Sequence, residues 1–213
     1  MMQTEFWLDR WRNNELGWQQ DNVNPLLIQF FSRLQPCRQV FVPLCGASPD
    51  LTWLAEHVPV IGVELAELAC QSLFASFGGQ IQAEPAGEFN IWQHGALRVL
   101  QGDYFRLTAQ HLDTVDAIYD RAALIALPPA MRQAYVKQLK ALCPHARLLL
   151  LTIEYPQDEK AGPPFSVDSA EITQLFGDFQ IRELARIDIK QQGFGRRKMR
   201  ASRLEEVVWL IEW

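Results

Sequence analysis

The sequence predicts an α/β fold in which a mostly parallel sheet of about seven strands carries helices on both faces and the last strand is reversed. Three observations predict it. The stretch Val40 to Glu64, VFVPLCGASPDLTWLAEHVPVIGVE, contains a β-branched run, a tight turn, a helical segment and a second apolar run that ends in a carboxylate. Short apolar runs then alternate with helical segments as far as Ile153, the pattern of crossover connections between parallel strands. Finally, Gln180 to Ile189 and Glu206 to Ile211 follow one another with no helical segment between them, as an antiparallel sheet edge requires.

Two amphipathic stretches open the chain, Glu5 to Asn14 and Asn24 to Leu34, and Phe6, Trp7 and Trp11 give the first an aromatic-rich face. They precede the first strand, so residues 1–36 are expected to form a helical cover within a single domain spanning 1–213. Val40 to Leu44 is the first strand, and it stops at Cys45-Gly46, where glycine permits a tight turn and a close approach to a ligand. The second strand, Val60 to Val63, delivers Glu64 at its carboxyl end. A helix from Ala66 to Phe77, a hairpin through Phe89 to Trp92 and Leu97 to Leu100, and a strand at Ala117 to Tyr119 follow. Then come a helix over Pro129 to Leu142 and the strand Arg147 to Ile153. Gly162-Pro163-Pro164 reads as a rigid loop, and Asp168 with Glu171 as a capping box for a helix through Phe176.

The opening unit is half of a nucleotide site. An acid at the end of the second strand, about twenty residues after the turn, can accept both hydroxyls of a ribose. Dinucleotide sites add a G-x-G-x-x-G loop for the pyrophosphate, but Gly46 is followed here by Ala47, Ser48, Pro49 and Asp50. A pyrophosphate would meet Asp50 and few donors. An adenosine cofactor with an amino-acid tail, such as S-adenosylmethionine, needs no such cradle.

The 213 residues, 48% of them hydrophobic, are enough for one buried core. Four cysteines without a C-x-x-C pair and four histidines without ligand spacing predict neither a zinc site nor a disulfide framework, and fit a reducing cytoplasm. Charges at Glu5, Asp9 and Arg10 interrupt any export signal, and no apolar run is long enough to span a bilayer. A net charge of −5 argues against nucleic acid as a general partner. One local exception is the basic cluster Arg196, Arg197, Lys198, Arg200 and Arg203, which reads as a solvated loop or as a cover that draws in an anionic substrate.

Five segments together resemble the thiopurine S-methyltransferase family. They are FWLDRW at Phe6 to Trp11, VNPLL at Val23 to Leu27, VFVPLCGAS at Val40 to Ser48 with IGVELAE at Ile61 to Glu67, YDRAALIALPP at Tyr119 to Pro129, and EYPQDEKAGPPFSV at Glu154 to Val167. The resemblance runs from Phe6 to Trp213. It implies a Rossmann-like class I methyltransferase, a small-molecule thiol as acceptor, and S-adenosyl-L-methionine as donor, with S-adenosyl-L-homocysteine as product. Related selenium or tellurium compounds are further acceptors on this reading. Residue by residue, it implies cofactor contacts at Trp7, Trp11, Leu44, Gly46, Glu64, Asp103, Tyr104 and Arg121, and an aromatic cover for the acceptor at Trp18. The sequence departs from the family pattern at Leu8, Ala47 and Trp18-Gln19-Gln20, and in the less regular GFGRRKMR segment. These departures bear on the acceptor pocket more than on the cofactor.

Asp120 and Arg121 are expected where the strand beginning at Ala117 ends, the sheet edge at which α/β folds bind ligands. They are the candidate catalytic pair; the alternative is a buried ion pair joining strand to helix. Pro164 and Phe165 are expected to close the acceptor side as a stiff loop, or to be a plain connection. Trp7, Trp11 and Trp18 can face a sulfonium through cation-π attraction or serve as core anchors. Cys45 reads as packing rather than nucleophile. No metal is expected, and nothing demands more than a monomer. The rival readings are a non-catalytic adenosine-binding module, an NAD(P)-dependent oxidoreductase and a nucleic-acid methyltransferase, the last weakened by the missing Pro-Pro-Tyr motif.

Overall fold

The computed structural model describes residues 4–78, 81–192, 194–196 and 198–213. Arg197 of the basic cluster lies outside them. Helices α1 (Thr4–Arg12) and α2 (Pro25–Phe30) precede the sheet, as expected of a cover. The sheet then alternates with helices: β1 (Val40–Val42), α3 (Pro49–Ala55), β2 (Val60–Glu64), α4 (Glu67–Ala75), β3 (Glu84–Ala86), β4 (Phe89–His94), β5 (Leu97–Gln101) and β6 (Ala117–Arg121). After these come α5 (Pro129–Leu142), β7 (Arg147–Glu154), α6 (Ser169–Phe176), β8 (Gln180–Asp188) and β9 (Glu205–Glu212).

The strand order is β3-β4-β5-β2-β1-β6-β7-β9-β8. Strands β5, β2, β1, β6 and β7 are mutually parallel, and β9 runs antiparallel between β7 and β8. The reversed last strand is as the sequence predicts, but among the described residues the sheet has nine strands rather than about seven. The β3–β4 hairpin extends one edge. Its outer strand, Glu84-Pro85-Ala86, is short, exposed and without apolar alternation, so it gives no periodic signal, and a proline is tolerated there because an edge strand has spare donors.

Strands β1 and β2 are buried along their whole length, which follows from helices on both faces. One face packs Tyr135, Val136 and Leu139 of α5 with Ile172 and Phe176 of α6. The other packs Leu51 and Leu54 of α3, Ala69, Cys70 and Leu73 of α4, and Trp11 and Leu27 of the N-terminal cover. Alternation along β6 sends Ile118 to the first face and Ala117 and Tyr119 to the second. Among the described residues no helix is long and apolar enough to cross a membrane.

Two buried anchors set the parts around the site. Asp50, 1% exposed, accepts the Asn24 N–H (2.7 Å) and the Tyr119 hydroxyl (2.9 Å), tying the cap of α2 to β6. Arg132, fully buried, donates to Leu127 O (2.9 Å), Ser166 O (3.2 Å) and the Glu171 carboxylate (2.5 Å). Of the expected capping box only half forms: Asp168 accepts the Glu171 N–H at 2.8 Å, while the Glu171 side chain goes to Arg132 because a buried guanidinium needs a charged partner.

Candidate active site

The chain leaves β1 toward β2 on one side and meets β6 on the other, a topological switch point where open α/β sheets bind ligands beyond the carboxyl ends of their strands. A cavity of about 550 Å³ lies there. Of the residues singled out in the sequence, Trp7, Trp11, Trp18, Leu44, Gly46, Glu64, Asp103, Tyr104, Arg121 and Pro164 line it; Asp120 and Phe165 do not.

Glu64, 7% exposed, is held from both sides. The Gly46 N–H donates to Oε2 at 2.8 Å and the Ala66 N–H to Oε1 at 2.7 Å. Burial pushes its carboxyl up, opposed by the N–H groups of Ala66, Gly46 and Leu65. Each oxygen keeps lone-pair capacity beyond its backbone donor, so the carboxylate is fixed in place and still able to accept a ribose diol. Gly46 has φ of +58°, and a Cβ there would meet Trp11 Cζ2 at 3.7 Å and Trp18 Nε1 at 3.9 Å, ordinary contacts. Glycine is therefore required for the left-handed backbone more than for space. Leu44 (φ 45°) and Ala122 (φ 68°) adopt the same conformation with a Cβ. Both line the cavity, and such backbone strain clusters at ligand sites.

The aromatic cover comes from α1 and the turn after it. Trp18 meets Trp7 edge to face at 5.4 Å between centroids and Trp11 at 6.2 Å. Gln19 Nε2 donates to Ala47 O at 2.5 Å, fastening the cover to the β1 loop. Asp103 caps the short turn at Tyr104 by accepting the Phe105 N–H at 2.9 Å. Tyr104, 2% exposed, donates to Tyr135 O at 2.9 Å, so its ring is a fixed wall. Cys45 is buried, and burial pushes its thiol well above the ordinary range, which suits packing and not nucleophilic attack.

Asp120 and Arg121 do not form a pair, because consecutive residues on a strand face opposite sides. Asp120 turns toward α5. It accepts the Tyr135 hydroxyl at 2.6 Å and the N–H groups of Ala123 and Leu124 at 3.2 Å, and burial pushes its carboxyl up to about 6. It holds the turn after β6 and reaches no ligand space. Arg121 turns toward the cover: Nη1 donates to Trp18 O at 3.3 Å, and the guanidinium carbon lies 4.9 Å from the Phe194 ring centroid. Its Nε and Nη2 are buried with no hydrogen-bond partner among the described residues. Phe165 is likewise displaced from its expected place. Its N–H donates to Ile125 O at 2.7 Å, and its ring lies 5.7 Å from the Arg132 guanidinium carbon, so it anchors the loop that presents Pro163 and Pro164. Asp50, expected to repel a pyrophosphate, faces Tyr119 and Asn24.

The sequence reading passed over Phe194, Met131, Ile125 and Leu127, all of which line the cavity. Phe194 is 3% exposed although it sits in the basic segment; an aromatic between Gly193 and Gly195 was the available signal. Trp7, Trp11, Glu64 and the Gly46 turn together fit a cofactor that presents a ribose diol and a positively charged sulfur.

Comparison with known proteins bears on the fold and the family. A family model described as thiopurine S-methyltransferase matches residues 2–213. A thiopurine S-methyltransferase of Nitrosospira multiformis is 42% identical over 215 residues, covering 99% of this chain and 98% of that protein. One from Pseudomonas paraeruginosa is 44% identical over 216 residues and 99% of each. Among solved structures, a SAM-dependent methyltransferase from Anabaena variabilis covers 98% of this chain and 94% of its own at a TM-score of 0.69 and 12% identity. The Burkholderia thailandensis 1,6-didemethyltoxoflavin-N1-methyltransferase, with bound 1,6-didemethyltoxoflavin and S-adenosylhomocysteine, covers 98% and 86% at a TM-score of 0.65 and 15% identity. The structural likenesses carry the fold and the full-length matches carry the family: this chain belongs to the thiopurine S-methyltransferase family, enzymes that use S-adenosylmethionine as methyl donor.

Proposed function

We propose that this protein methylates the sulfur of aromatic or heterocyclic thiols, thiopurines among them, and related selenium or tellurium compounds. One observation carries the reading. The cavity is lined by Trp18, Phe194, Met131, Leu127 and Pro164, and the Arg121 guanidinium that also lines it has two buried nitrogens without partners among the described residues. Such a pocket suits a flat, apolar, anionic acceptor. The relatives' names point to the same chemistry.

When bound, S-adenosylmethionine supplies a sulfonium methyl that a thiolate takes by in-line displacement, a step in which opposite charges cancel. The protein's part is to bind, orient and exclude water. Glu64 takes the ribose, Tyr104 and Asp103 flank the adenosine side, and Trp7 and Trp11 close over the charged end, where a cation-π contact contributes roughly 0.5 to 2 kcal/mol. Arg121 draws in the anion. Removing water from both charges favours their cancellation, and alignment alone removes about 7 to 11 kcal/mol of barrier in favourable cases. A thiol already ionised near neutral pH needs no strong base. The reading takes the protein as a cytoplasmic monomer, in line with its four free cysteines.

The test is transfer of labelled methyl to 6-mercaptopurine, with a phenolic analogue as control. The expected result is transfer to sulfur and not to oxygen, abolished in Glu64→Ala and weakened in Arg121→Ala. Cofactor binding without transfer to any thiol overturns the acceptor assignment.

A further inference from the structure

Behind Arg121 lies a second, smaller cavity of about 190 Å³, lined by Arg121 and Phe194 together with Glu206, Asn24, Gln20 and Gln192. Arg121, Phe194 and Gln20 also line the larger cavity, so they form the partition between the two. Glu206 reaches this place by parity. On β9, Glu205 turns to one face, where it pairs with Arg186 (3.0 Å) and Arg203 (3.4 Å). Glu206 turns to the other, the face of Val208 and Tyr119.

The Glu206 carboxylate has no hydrogen bond or ion pair among the described residues, in contrast to Asp50, whose carboxylate is committed to Tyr119 and Asn24. Burial pushes the Glu206 carboxyl up and Asp50 adds to the push, while the Arg121 guanidinium opposes it. A partly buried carboxylate and a guanidinium with two unpartnered nitrogens thus share one polar cavity without touching. At about 190 Å³ the space has room for several waters, and its donors and acceptors can supply the two to four partners that each buried water needs.

We propose that Glu206 is a positioning residue for Arg121: water in the second cavity links its carboxylate to one of the two unpartnered guanidinium nitrogens and leaves the other for the acceptor. Asp50 is too committed to do this, and Trp18 O takes only Nη1. The link fixes the plane of the fork against Phe194 and keeps its front edge aimed at the acceptor. A charged group oriented by an outer partner is worth more to a ligand than one free to rotate. The inference rests on the proposed role of Arg121 toward an anionic acceptor.

The test pairs a direct view of Arg121 with kinetics. In an arginine Nε–H nitrogen-proton spectrum of the full chain, the Arg121 signal is assigned by its loss in Arg121→Lys. Glu206→Gln is expected to shift that signal and speed its exchange with water about tenfold or more, leaving the other arginines unmoved. In methyl transfer to 6-mercaptopurine it is expected to lower kcat/KM about tenfold in the wild-type background and to have almost no effect when Arg121 is already methionine. An unmoved Arg121 signal, or the same fold loss in both backgrounds, overturns the proposal. Should Glu206→Gln fail to fold, Glu206→Asp, which withdraws the charge by one methylene, is read by the same spectrum and the same two outcomes. If the wild type methylates no thiol, the acceptor assignment falls, while the spectrum still decides whether Glu206 holds Arg121.

Discussion

Replacing Glu64 by glutamine removes one charge and one acceptor while keeping the shape, and the structure sets the cost. Both carboxylate oxygens already accept backbone N–H groups, from Gly46 at 2.8 Å and from Ala66 at 2.7 Å. The amide nitrogen of Glu64→Gln must face one of these donors, leaving a buried N–H without an acceptor at about 1 to 3 kcal/mol. Part of that is offset because the neutral amide escapes the burial penalty that pushes the Glu64 carboxyl up, so the loss of fold stability should lie near the lower end. Cofactor binding has no such relief. The ribose loses one charge-assisted bond of about 1.5 to 3 kcal/mol, which is about 10- to 150-fold in affinity. Calorimetric titration with S-adenosylhomocysteine measures this directly, with thermal unfolding as the control for folding. A Kd within about twofold of wild type in a folded variant would refute the assignment of Glu64 to the ribose.

Three further outcomes are expected. Gly195 sits at φ of +60°, and a Cβ there would lie 2.6 Å from Trp18 O and 2.8 Å from Gly17 O; Gly195→Ala therefore pushes the β8–β9 connection off the cover, and the KM for the acceptor should rise with little change in S-adenosylhomocysteine affinity. Tyr119→Phe removes the 2.9 Å donor to Asp50 and should cost about 1 to 3 kcal/mol in urea unfolding, a loss absent if the buried carboxylate finds another donor. Asp120, pushed up from 3.8 to about 6 by burial, favours the fold while protonated, below pH 4, and that contribution is lost as the pH rises through 6. Asp120→Asn cannot ionise, so its stability relative to wild type should improve by up to about 3 kcal/mol between pH 4 and pH 7; a flat difference in urea unfolding across that range would remove the claim.

The strand-turn-strand unit beneath the cavity was legible because one contiguous stretch encodes it. Val40 to Glu64 contains the strand, the glycine turn and the acid, and the Gly46 N–H that holds Glu64 comes from that same stretch. Long elements with clear periodicity, such as α5 and β7, were legible for the same reason. Strand β3 was not, since Glu84-Pro85-Ala86 has no apolar pattern and owes its conformation to pairing with β4. Asp120 and Phe165 illustrate a different failure. Their positions next to Arg121 and Pro164 suggested a shared site, yet a strand separates neighbours by face and Arg132 pulls Phe165 toward α5.

The proposed acceptor side has no such contiguous code, because three distant segments meet there. The cover at Trp18 is bound to the β8–β9 connection by Arg196 N–H to Gln19 O at 3.0 Å and by the ion pair of Arg196 with Asp21 at 2.5 Å. It is bound to β6 by Arg121 and, through Asn24 and Asp50, by Tyr119. The Arg196–Asp21 pair is half exposed or more on both sides, so by itself it contributes little. What fixes the assembly is the buried set: the tight approach of Gly195 to Trp18, the Asp50 anchor and the Arg121–Phe194 partition. On the proposed function, acceptor choice in this chain is therefore a property of how these segments dock. Substitutions at Gly195 or Asp50, which touch no acceptor, should change substrate preference more than substitutions at the exposed Arg196–Asp21 pair, and a panel of thiols of increasing size measures the difference.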